Sequence, residues 1–238
     1  MRQRKPKDLE KRLHQYEEYT VRELSPGIWN EIFEREGGLY LEIGCGKGDF
    51  IVKKAVDNPD CNYIAIEGQN TVVLRALEKT AEAEADGKLS GNLKFVIAFM
   101  DNMSKGFKEN QLDGIYLNFS DPWPKARHAK RRLTYHERLS EYARAIRPDG
   151  FIEFKTDNDD FFSFTLEEIN AAGKGEGSGG FALEIEEMTR DLHSADCPYE
   201  SRKTMTEYEK KFSKNGKNIN YVKVIVRKKT GKIEEKAW

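Results

Sequence analysis

The chain has 238 residues, of which 38% are hydrophobic and 34% charged, and it carries 40 basic and 41 acidic side chains. This composition fits one α/β domain with a modest core, and no apolar run approaches the roughly 18 residues of a membrane span. The N-terminus lacks a signal peptide's apolar stretch, and three cysteines without pairing or metal-ligand spacing favour a reducing cytoplasm and no metal centre. Because the net charge is near zero, an anionic partner must be bound by a local basic patch.

Short apolar runs alternate with helical patterns along the chain. Strands are predicted at 39–43, 62–67, 93–100, 114–119, 151–156, 181–188 and 221–228. Helices are predicted near 47–57, 69–85 and 134–147. Thr134 is the predicted N-cap of the third helix, with Glu137 three residues on. This alternation predicts right-handed crossovers and a parallel sheet, although a turn before the last strand favours an antiparallel end.

Charge and glycine content suggest how the chain is divided. Residues 1–12 carry six Lys or Arg and two acids, so we expect a basic N-terminal arm at 1–24 and one domain at 25–238. The Gly-rich segment at 171–180 predicts a flexible connector rather than a phosphate loop, since it has no Lys-Ser/Thr ending and opens no helix.

The stretch LEIGCGKGDF predicts a ligand-binding turn after the first strand. Gly44 and Gly46 let the backbone turn tightly and approach a ligand, but Asp49 stands where a dinucleotide fingerprint requires its third glycine. Glu42, at the end of the strand, would repel a pyrophosphate and suits the cationic amino-acid end of S-adenosylmethionine. The alternative is a turn that only packs.

Acidic and amide side chains follow the next two strands. Glu67 ends the second strand, where an acid can accept both hydroxyls of an adenosine ribose; the alternative is an ordinary solvated acid. Asp101 and Asn102 follow the third strand and are the polar residues available to bind adenine. These positions extend the predicted cofactor site along one edge of the sheet.

The segment NFSDPWPKARHAKRRLTYH, residues 118–136, follows the fourth strand. Two prolines around Trp123 stiffen the turn and hold Asp121 at the tip of the sheet. Five basic residues follow without an acid before Glu137, namely Lys125, Arg127, Lys130, Arg131 and Arg132.

Several motifs together resemble the bacterial tRNA (guanine-N7-)-methyltransferase family over about residues 38–227. They are LEIGCGKGDF, IAIE, YLNFSDPWPKARHAKRRLTY, FKTDN and MTEYEKKF. The resemblance implies a Rossmann-like class I methyltransferase fold, with a mostly parallel seven-stranded sheet and helices on both faces. It also implies methyl transfer from S-adenosyl-L-methionine to N7 of a guanosine in the variable loop of tRNA, forming 7-methylguanosine.

The resemblance further implies roles for single residues. Asp121 matches an acid credited with cofactor contact and catalysis. Guanine N7 has a free lone pair, so a carboxylate there would stabilise developing positive charge, with a general base as the alternative role. Positions assigned to the tRNA substrate match Lys125, Asp157, Thr206, Glu207, Tyr208 and Glu209. Without the resemblance, MTEYEKKF predicts only a helix start with a capping box between Thr206 and Glu209.

With this substrate, the basic run predicts an RNA-binding track. The residues are Arg127, Lys130, Arg131 and Arg132, beside Trp123 and His128 as stacking surfaces. A solvated helix face is the alternative. One position departs from the family pattern, because Phe99 stands where an acid is expected. Either Asp101 or Asn102 then contacts adenine, or the contact is missing.

Two other function classes are weighed against the methyltransferase. A nicotinamide-dependent oxidoreductase shares the strand–helix–strand start and Glu67, but the missing third glycine and the acid-free basic run oppose it. A catalytically silent RNA-binding protein would tolerate loss of Glu42, Asp121 and the glycines, yet all are present. The sequence leaves open whether the chain is a monomer or a homodimer.

Overall fold

The structure, a computed structural model, describes residues 8–172 and 180–228. The described helices are α1 Leu9–His14, α2 Trp29–Phe33, α3 Asp49–Asp57, α4 Asn70–Ala85, α5 His136–Ala145, α6 Asp159–Ala172 and α7 Glu207–Lys214. The described strands are β1 Leu39–Ile43, β2 Asn62–Ile66, β3 Leu93–Val96, β4 Leu112–Asn118, β5 Ile146–Thr156, β6 Phe181–Thr189 and β7 Asn220–Lys228. Most of the Gly-rich segment predicted as a connector lies outside the described residues.

The strands form one seven-stranded sheet in the order β3-β2-β1-β4-β5-β7-β6. The first five strands pair in parallel, whereas β7 is antiparallel to both β5 and β6. This confirms the mostly parallel seven-stranded prediction and the antiparallel last strand. Because the parallel strands share a direction, the loops after β1, β2, β3 and β4 emerge at the same edge, where open α/β sheets bind ligands.

Helices cover both faces of the sheet, as predicted. Side chains along β2 point alternately to the two faces of the sheet. Ile64 and Ile66 belong to one hydrophobic core, and Tyr63 and Ala65 belong to another. The first core includes side chains of α2, α5 and α6, and the second those of α3 and α4. A strand buried on both faces reads as a continuous apolar run, which is why these strands were visible in the sequence.

Two local predictions were wrong. The third strand was expected to reach residue 100, but β3 ends at Val96, whose partner Ile66 is also the last residue of β2. On its other side β3 meets only an isolated parallel bridge between Thr20 and Phe95, which does not extend the pairing beyond Val96. Thr134 does not cap α5; it is buried and its hydroxyl bonds that of Thr165 at 2.8 Å. Tyr135 is the N-cap residue and makes no side-chain cap.

A carboxylate from another helix replaces the missing cap. Glu168 on α6 accepts hydrogen bonds from the backbone N–H of His136 at 2.6 Å and pairs with its ring Nδ1 at 2.7 Å. The start of α5 is therefore fixed by tertiary contact, and the acid also lies where the helix dipole favours negative charge.

The described part of the predicted N-terminal arm packs against the domain. Leu9 is buried, and Arg12 pairs with Glu78 of α4. The backbone N–H of Val21 donates to the carbonyl of Phe95 in β3 at 2.8 Å. These contacts tie residues 9–21 to α4 and to the outer edge of the sheet, while the predicted division at residue 24 stays a prediction.

Candidate functional site

A cleft lies along the edge where β1, β2 and β4 end. It consists of two adjoining cavities of about 360 and 550 Å³, which share Gly44, Gly46, Val72 and Phe119 in their walls. The smaller extends toward the N-terminus of α7, and the larger toward the residues after β3 and the turn after β4. The predicted cofactor and substrate segments thus meet in one continuous space.

The turn after β1 leaves its backbone open to the cleft. Gly44 and Gly46 adopt left-handed backbone conformations with φ of +77° and +59°, which side chains disfavour. A Cβ built on either would meet nothing within 4 Å, because both residues face the cavities. A ligand can therefore approach the peptide groups of this turn closely.

Glu42 places a buried carboxylate in the wall of the smaller cavity. It is 1% exposed, and Asn118 of β4 donates to its Oε1 at 2.7 Å. Oε2 has no hydrogen-bond partner within the described residues. Burial raises the pKa of Glu42 to about 7, against the opposing effects of the Asn118 hydrogen bond and the Lys155 charge. A carboxylate with an unsatisfied oxygen fits a cationic ligand group such as an ammonium.

Glu67 is oriented by backbone amides at the end of β2. Its carboxylate accepts from the N–H of Gly46 at 3.1 Å and from that of Gln69 at 2.9 Å. The side chain is largely buried and lines the larger cavity. Since each carboxylate has about four acceptor positions, Glu67 keeps capacity to accept hydroxyl groups from a ligand.

The residues after β3 separate into those that face the cleft and those that do not. Asp101 is exposed and lines the larger cavity together with Phe99 and Met100. Asn102 is absent from that wall, and its Oδ1 accepts from both the N–H and the hydroxyl of Ser104 at 2.8 Å. Asn102 therefore caps the short helical turn Met103–Lys105. Of the two candidates for adenine, the structure brings Asp101 to the cleft.

The turn after β4 presents Asp121. Asp121 is exposed, lines the larger cavity, and makes no hydrogen bond or ion pair within the described residues. Phe119 and Trp123, on either side, have left-handed backbones with φ of 50° and 41°, a strained state for non-glycine residues. Such strain persists only where surrounding contacts impose the conformation.

Arg132 provides such contacts for Trp123, whereas the N–H of Phe119 donates to the carbonyl of Lys155 at 2.9 Å. The Arg132 guanidinium donates to the carbonyl of Pro122 at 2.8 Å and to that of Trp123 at 3.1 Å. The same group lies 4.1 Å from the ring centroid of Phe164 on α6. Arg132, predicted as an RNA contact, is half-buried and braces the turn that carries Asp121.

The other predicted RNA-contact residues are exposed, in and around the short helix Ala126–Arg131. Arg131 lies 5.0 Å from the ring centroid of Trp123 and lines the larger cavity. Lys130 pairs with Glu137 at 3.4 Å, a weak exposed contact. Lys125 and Arg127 have no ion pair among the described residues. This surface presents cationic groups to solvent next to Asp121.

The predicted substrate segment at α7 forms the opposite wall of the smaller cavity. Thr206, Glu207 and Tyr208 line it. Glu207 pairs with Lys47 of the glycine turn at 2.7 Å, across the mouth of the cavity. The Tyr208 ring is 45% exposed, and its centroid lies 5.1 Å from that of Phe119. The predicted capping box is confirmed, with Thr206 Oγ1 accepting from Glu209 N–H at 2.9 Å.

Glu209, predicted to bind substrate, lies under the cleft wall. It is fully buried and accepts from Lys155 Nζ at 3.3 Å and pairs with His193 Nε2 at 2.8 Å. Lys155 also donates to the carbonyls of Ser201 at 2.7 Å and Thr204 at 3.1 Å. These bonds hold the segment before α7 against β5. Burial lowers the pKa of Lys155, and the Glu209 carboxylate opposes that shift.

Sequence reasoning missed Asn118 and Lys155. Asn118 interrupts the apolar predicted strand GIYLNF, and Lys155 lies in FIEFKT together with Glu153 and Thr156. A polar residue within a strand predicted to be buried was the available signal. Asp157, predicted to contact tRNA, lies outside both cavity walls and pairs with Lys217 at 3.0 Å.

Residues 8–172 and 180–228 contain no helix that is both long and apolar enough to cross a membrane. In the same ranges, no three His, Cys, Asp or Glu residues cluster as metal ligands.

Comparison with known proteins matches residues 36–222 to a family described as "Putative methyltransferase". Three proteins named tRNA (guanine-N(7)-)-methyltransferase are similar over most of their length. The one from Mesoplasma florum is 48% identical over 80% of this chain and 81% of its own. The protein from Lachnoclostridium phytofermentans is 42% identical over 83% of this chain and 85% of its own length. The protein from Streptococcus uberis is 38% identical over 94% of this chain and 100% of its own length.

Solved structures share the fold at low sequence identity. A 16S rRNA methyltransferase, KamB, superposes with a TM-score of 0.60 at 12% identity, over 86% of this chain and 95% of its own. An antibiotic-related methyltransferase superposes with a TM-score of 0.58 at 19% identity, over 86% and 94%. Identities this low support the class I methyltransferase fold and nothing finer.

Proposed function

This chain belongs to the tRNA (guanine-N7-)-methyltransferase family, and from that premise we propose that it methylates N7 of a guanosine in the variable loop of tRNA, with S-adenosyl-L-methionine as methyl donor. One observation carries the proposal. The Glu42 oxygen that has no partner among residues 8–172 and 180–228 shares a cleft with the open glycine turn and Asp121, beside an exposed basic surface.

The cleft has the groups needed for the methyl donor. Glu42 would bind the ammonium group, because its buried oxygen gains a charged partner. The amino-acid end would lie against the backbone of Gly44 and Gly46. Glu67 would accept hydrogen bonds from the ribose hydroxyls, and Asp101 would bond the edge of adenine. When bound, S-adenosylmethionine supplies a methyl group activated by its sulfonium charge.

Asp121 is proposed to act through its charge. The lone pair of guanine N7 attacks directly, so no proton has to be removed before the methyl group is transferred. Positive charge develops on the base as the N7–methyl bond forms, and a nearby carboxylate lowers the energy of that charge. The braced turn would hold this carboxylate in place, so that it need not reorganise during the reaction.

The tRNA is proposed to lie over the basic surface next to Asp121. Lys125, Arg127, Lys130 and Arg131 are exposed there and can neutralise phosphates. Tyr208 and Trp123 are aromatic surfaces at the two sides of the cleft, on which an unstacked base can stack. Asp157 and Glu209 would contribute mainly through the protein contacts that they make.

Incubation with bulk unmodified tRNA and methyl-labelled cofactor tests the proposal. Nucleoside analysis should find the label in 7-methylguanosine, and oligonucleotide mapping should place it in the variable loop. An Asp121→Asn protein is the control for contaminating activity. Label in another nucleoside would overturn the assigned position, and no labelled tRNA would overturn the activity.

A further inference from the structure

Phe99 is the most exposed large hydrophobic residue in the described part of the chain. Its side chain is 72% exposed, compared with 49% for Met188 and 45% for Tyr208. An isolated exposed phenylalanine on a convex surface needs no explanation. This one lines the larger cavity of the cleft, beside Glu67 and Asp101, where a ligand would cover it.

The Phe99 ring packs against Gly68. A Cβ built on Gly68 would overlap three ring carbons of Phe99, so the ring lies directly against the Gly68 backbone. The backbone of Gly68 is not left-handed, unlike that of Gly44 or Gly46. Glycine at position 68 is therefore explained by the space that the ring occupies. One side of the ring rests on the loop after β2, and the rest remains open to the cleft.

The order of groups along the cleft identifies the part of the ligand that reaches Phe99. In an adenosyl ligand the ribose joins the amino-acid portion on one side to adenine on the other. With the amino-acid end at Glu42 and the ribose at Glu67, adenine must extend away from the glycine turn. Since β2 and β3 end as partners at Ile66 and Val96, the next wall in that direction is residues 98–101.

We propose that the Phe99 ring stacks on the adenine of the methyl donor, in place of the acid expected at this position, while Asp101 bonds the edge of the base. The inference rests on the proposed cofactor and deepens it. Stacking suits a ring that already packs on one side against Gly68 and leaves the rest of its surface open to the cleft.

Calorimetric titration with S-adenosylhomocysteine tests the stacking without requiring turnover. Phe99→Ala should weaken binding about 5- to 100-fold, the range expected for loss of base stacking. Phe99→Tyr keeps the ring and should stay near wild type, and Phe99→Leu should fall between. Met188→Ala, another exposed apolar position and absent from both cavity walls, is the matched control and should bind normally.

Gly68 supplies a second test that a merely apolar surface would not pass. Gly68→Ala should displace the ring and weaken S-adenosylhomocysteine binding in the wild-type background. In the Phe99→Ala background the same change should have little further effect, because no ring remains to be displaced. Full additivity of the two changes would contradict the inference.

The outcomes separate this inference from the proposed activity. If wild-type protein fails to bind S-adenosylhomocysteine, the proposed cofactor is wrong, and the stacking falls with it. If wild type binds and methylates tRNA but Phe99→Ala binds equally tightly, only the stacking is overturned. Unchanged binding combined with a raised KM for tRNA would assign the ring to an RNA base, which also overturns it.

Discussion

The two sides of the cleft differ in the solvent exposure of their charged groups. On the side of β1 and β2, Glu42 and Glu67 are buried and held by specific hydrogen bonds, and Lys155 of β5 is buried beneath the wall. On the side that follows β4, Asp121 and most of the basic residues are exposed. Buried charges interact strongly, and salt screens them little, whereas exposed charges attract from a distance and are screened.

The comparison suggests a division of tasks. The buried side can discriminate a small ligand by matching its charges one by one, since an unpaired buried charge is costly. The exposed side can bind a polyanion of varied shape, because counterion release from phosphates requires no fixed geometry. Five experiments test this difference.

The buried Lys155 should contribute far more to the free energy of unfolding than the exposed Lys125. Lys155→Met leaves buried Glu209 paired only with His193 and removes the donor to the Ser201 and Thr204 carbonyls. The variant should lower the free energy of unfolding by about 3–5 kcal/mol. Lys125→Met, at an exposed lysine, should unfold at the wild-type denaturant concentration. Urea denaturation measures both. Equal midpoints for the two variants would remove the distinction between buried and exposed lysine.

Asp121→Asn should lower kcat with tRNA by on the order of 100- to 1,000-fold, because the near-isosteric amide lacks the charge that stabilises the methylated base. Since Asp121 is exposed, the thermal stability should stay unchanged. Glu137→Gln, at another exposed acid near the basic surface, is the control and should keep wild-type turnover. Initial rates at saturating tRNA measure the effect, and wild-type turnover in Asp121→Asn would exclude the catalytic role.

Removing the exposed basic side chains should weaken tRNA binding and leave cofactor binding unchanged. Lys125, Arg127 and Lys130 changed together to Ala should reduce the slope of log K against log salt by about 0.7–0.9 for each lost phosphate contact. The fall in tRNA affinity should be on the order of 10- to 100-fold at low salt. Filter binding at several salt concentrations measures the slope.

Three exposed lysines elsewhere, Lys53, Lys88 and Lys108, offer a control triple with the same change in net charge. If both triples alter the slope equally, the effect is one of net charge and the track is not specific. Arg132 is left intact because its loss would release the turn that carries Asp121.

Cofactor binding should depend on pH through Glu42. Its pKa is raised to about 7, so the carboxyl is mostly neutral below that pH and anionic above it. An ammonium group prefers the anion; affinity for S-adenosylhomocysteine should therefore rise about tenfold from pH 6 to pH 8. Calorimetry at several pH values measures this, and Glu42→Gln should bind weakly with a flat profile.

The same shift affects stability in the opposite direction. Because the folded protein holds the Glu42 proton more tightly than the unfolded chain, the free energy of unfolding contributed by this group falls as pH rises from about 4.5 to about 7. In Glu42→Gln this part of the pH dependence should be absent. An unchanged profile in that variant would assign the titration to another group.

The sequence alone was sufficient for the order of the seven strands, the sheet type and the residues at the ends of β1, β2 and β4, but not for the end of β3. Parallel strands that are buried on both faces are visible as apolar runs, and their ends meet at one edge. Glu42, Gly44, Gly46, Glu67 and Asp121 could thus be assigned to one cleft from order along the chain, and the structure places them in its walls. The family motifs then identified the reaction expected in this cleft as methyl transfer to tRNA.

Only the tertiary structure decided which polar side chains face the cleft and which hold the protein together. Asn102 caps a turn, Arg132 braces another, Thr134 is buried against Thr165, and Glu209 lies beneath the wall with Lys155. For three of these the deciding partner is 10 or more residues away: 10 for Arg132 and Pro122, 31 for Thr134 and Thr165, and 54 for Lys155 and Glu209. Residue type and local spacing fix what a side chain can bond, but burial and the available partner depend on segments that meet only when the chain folds.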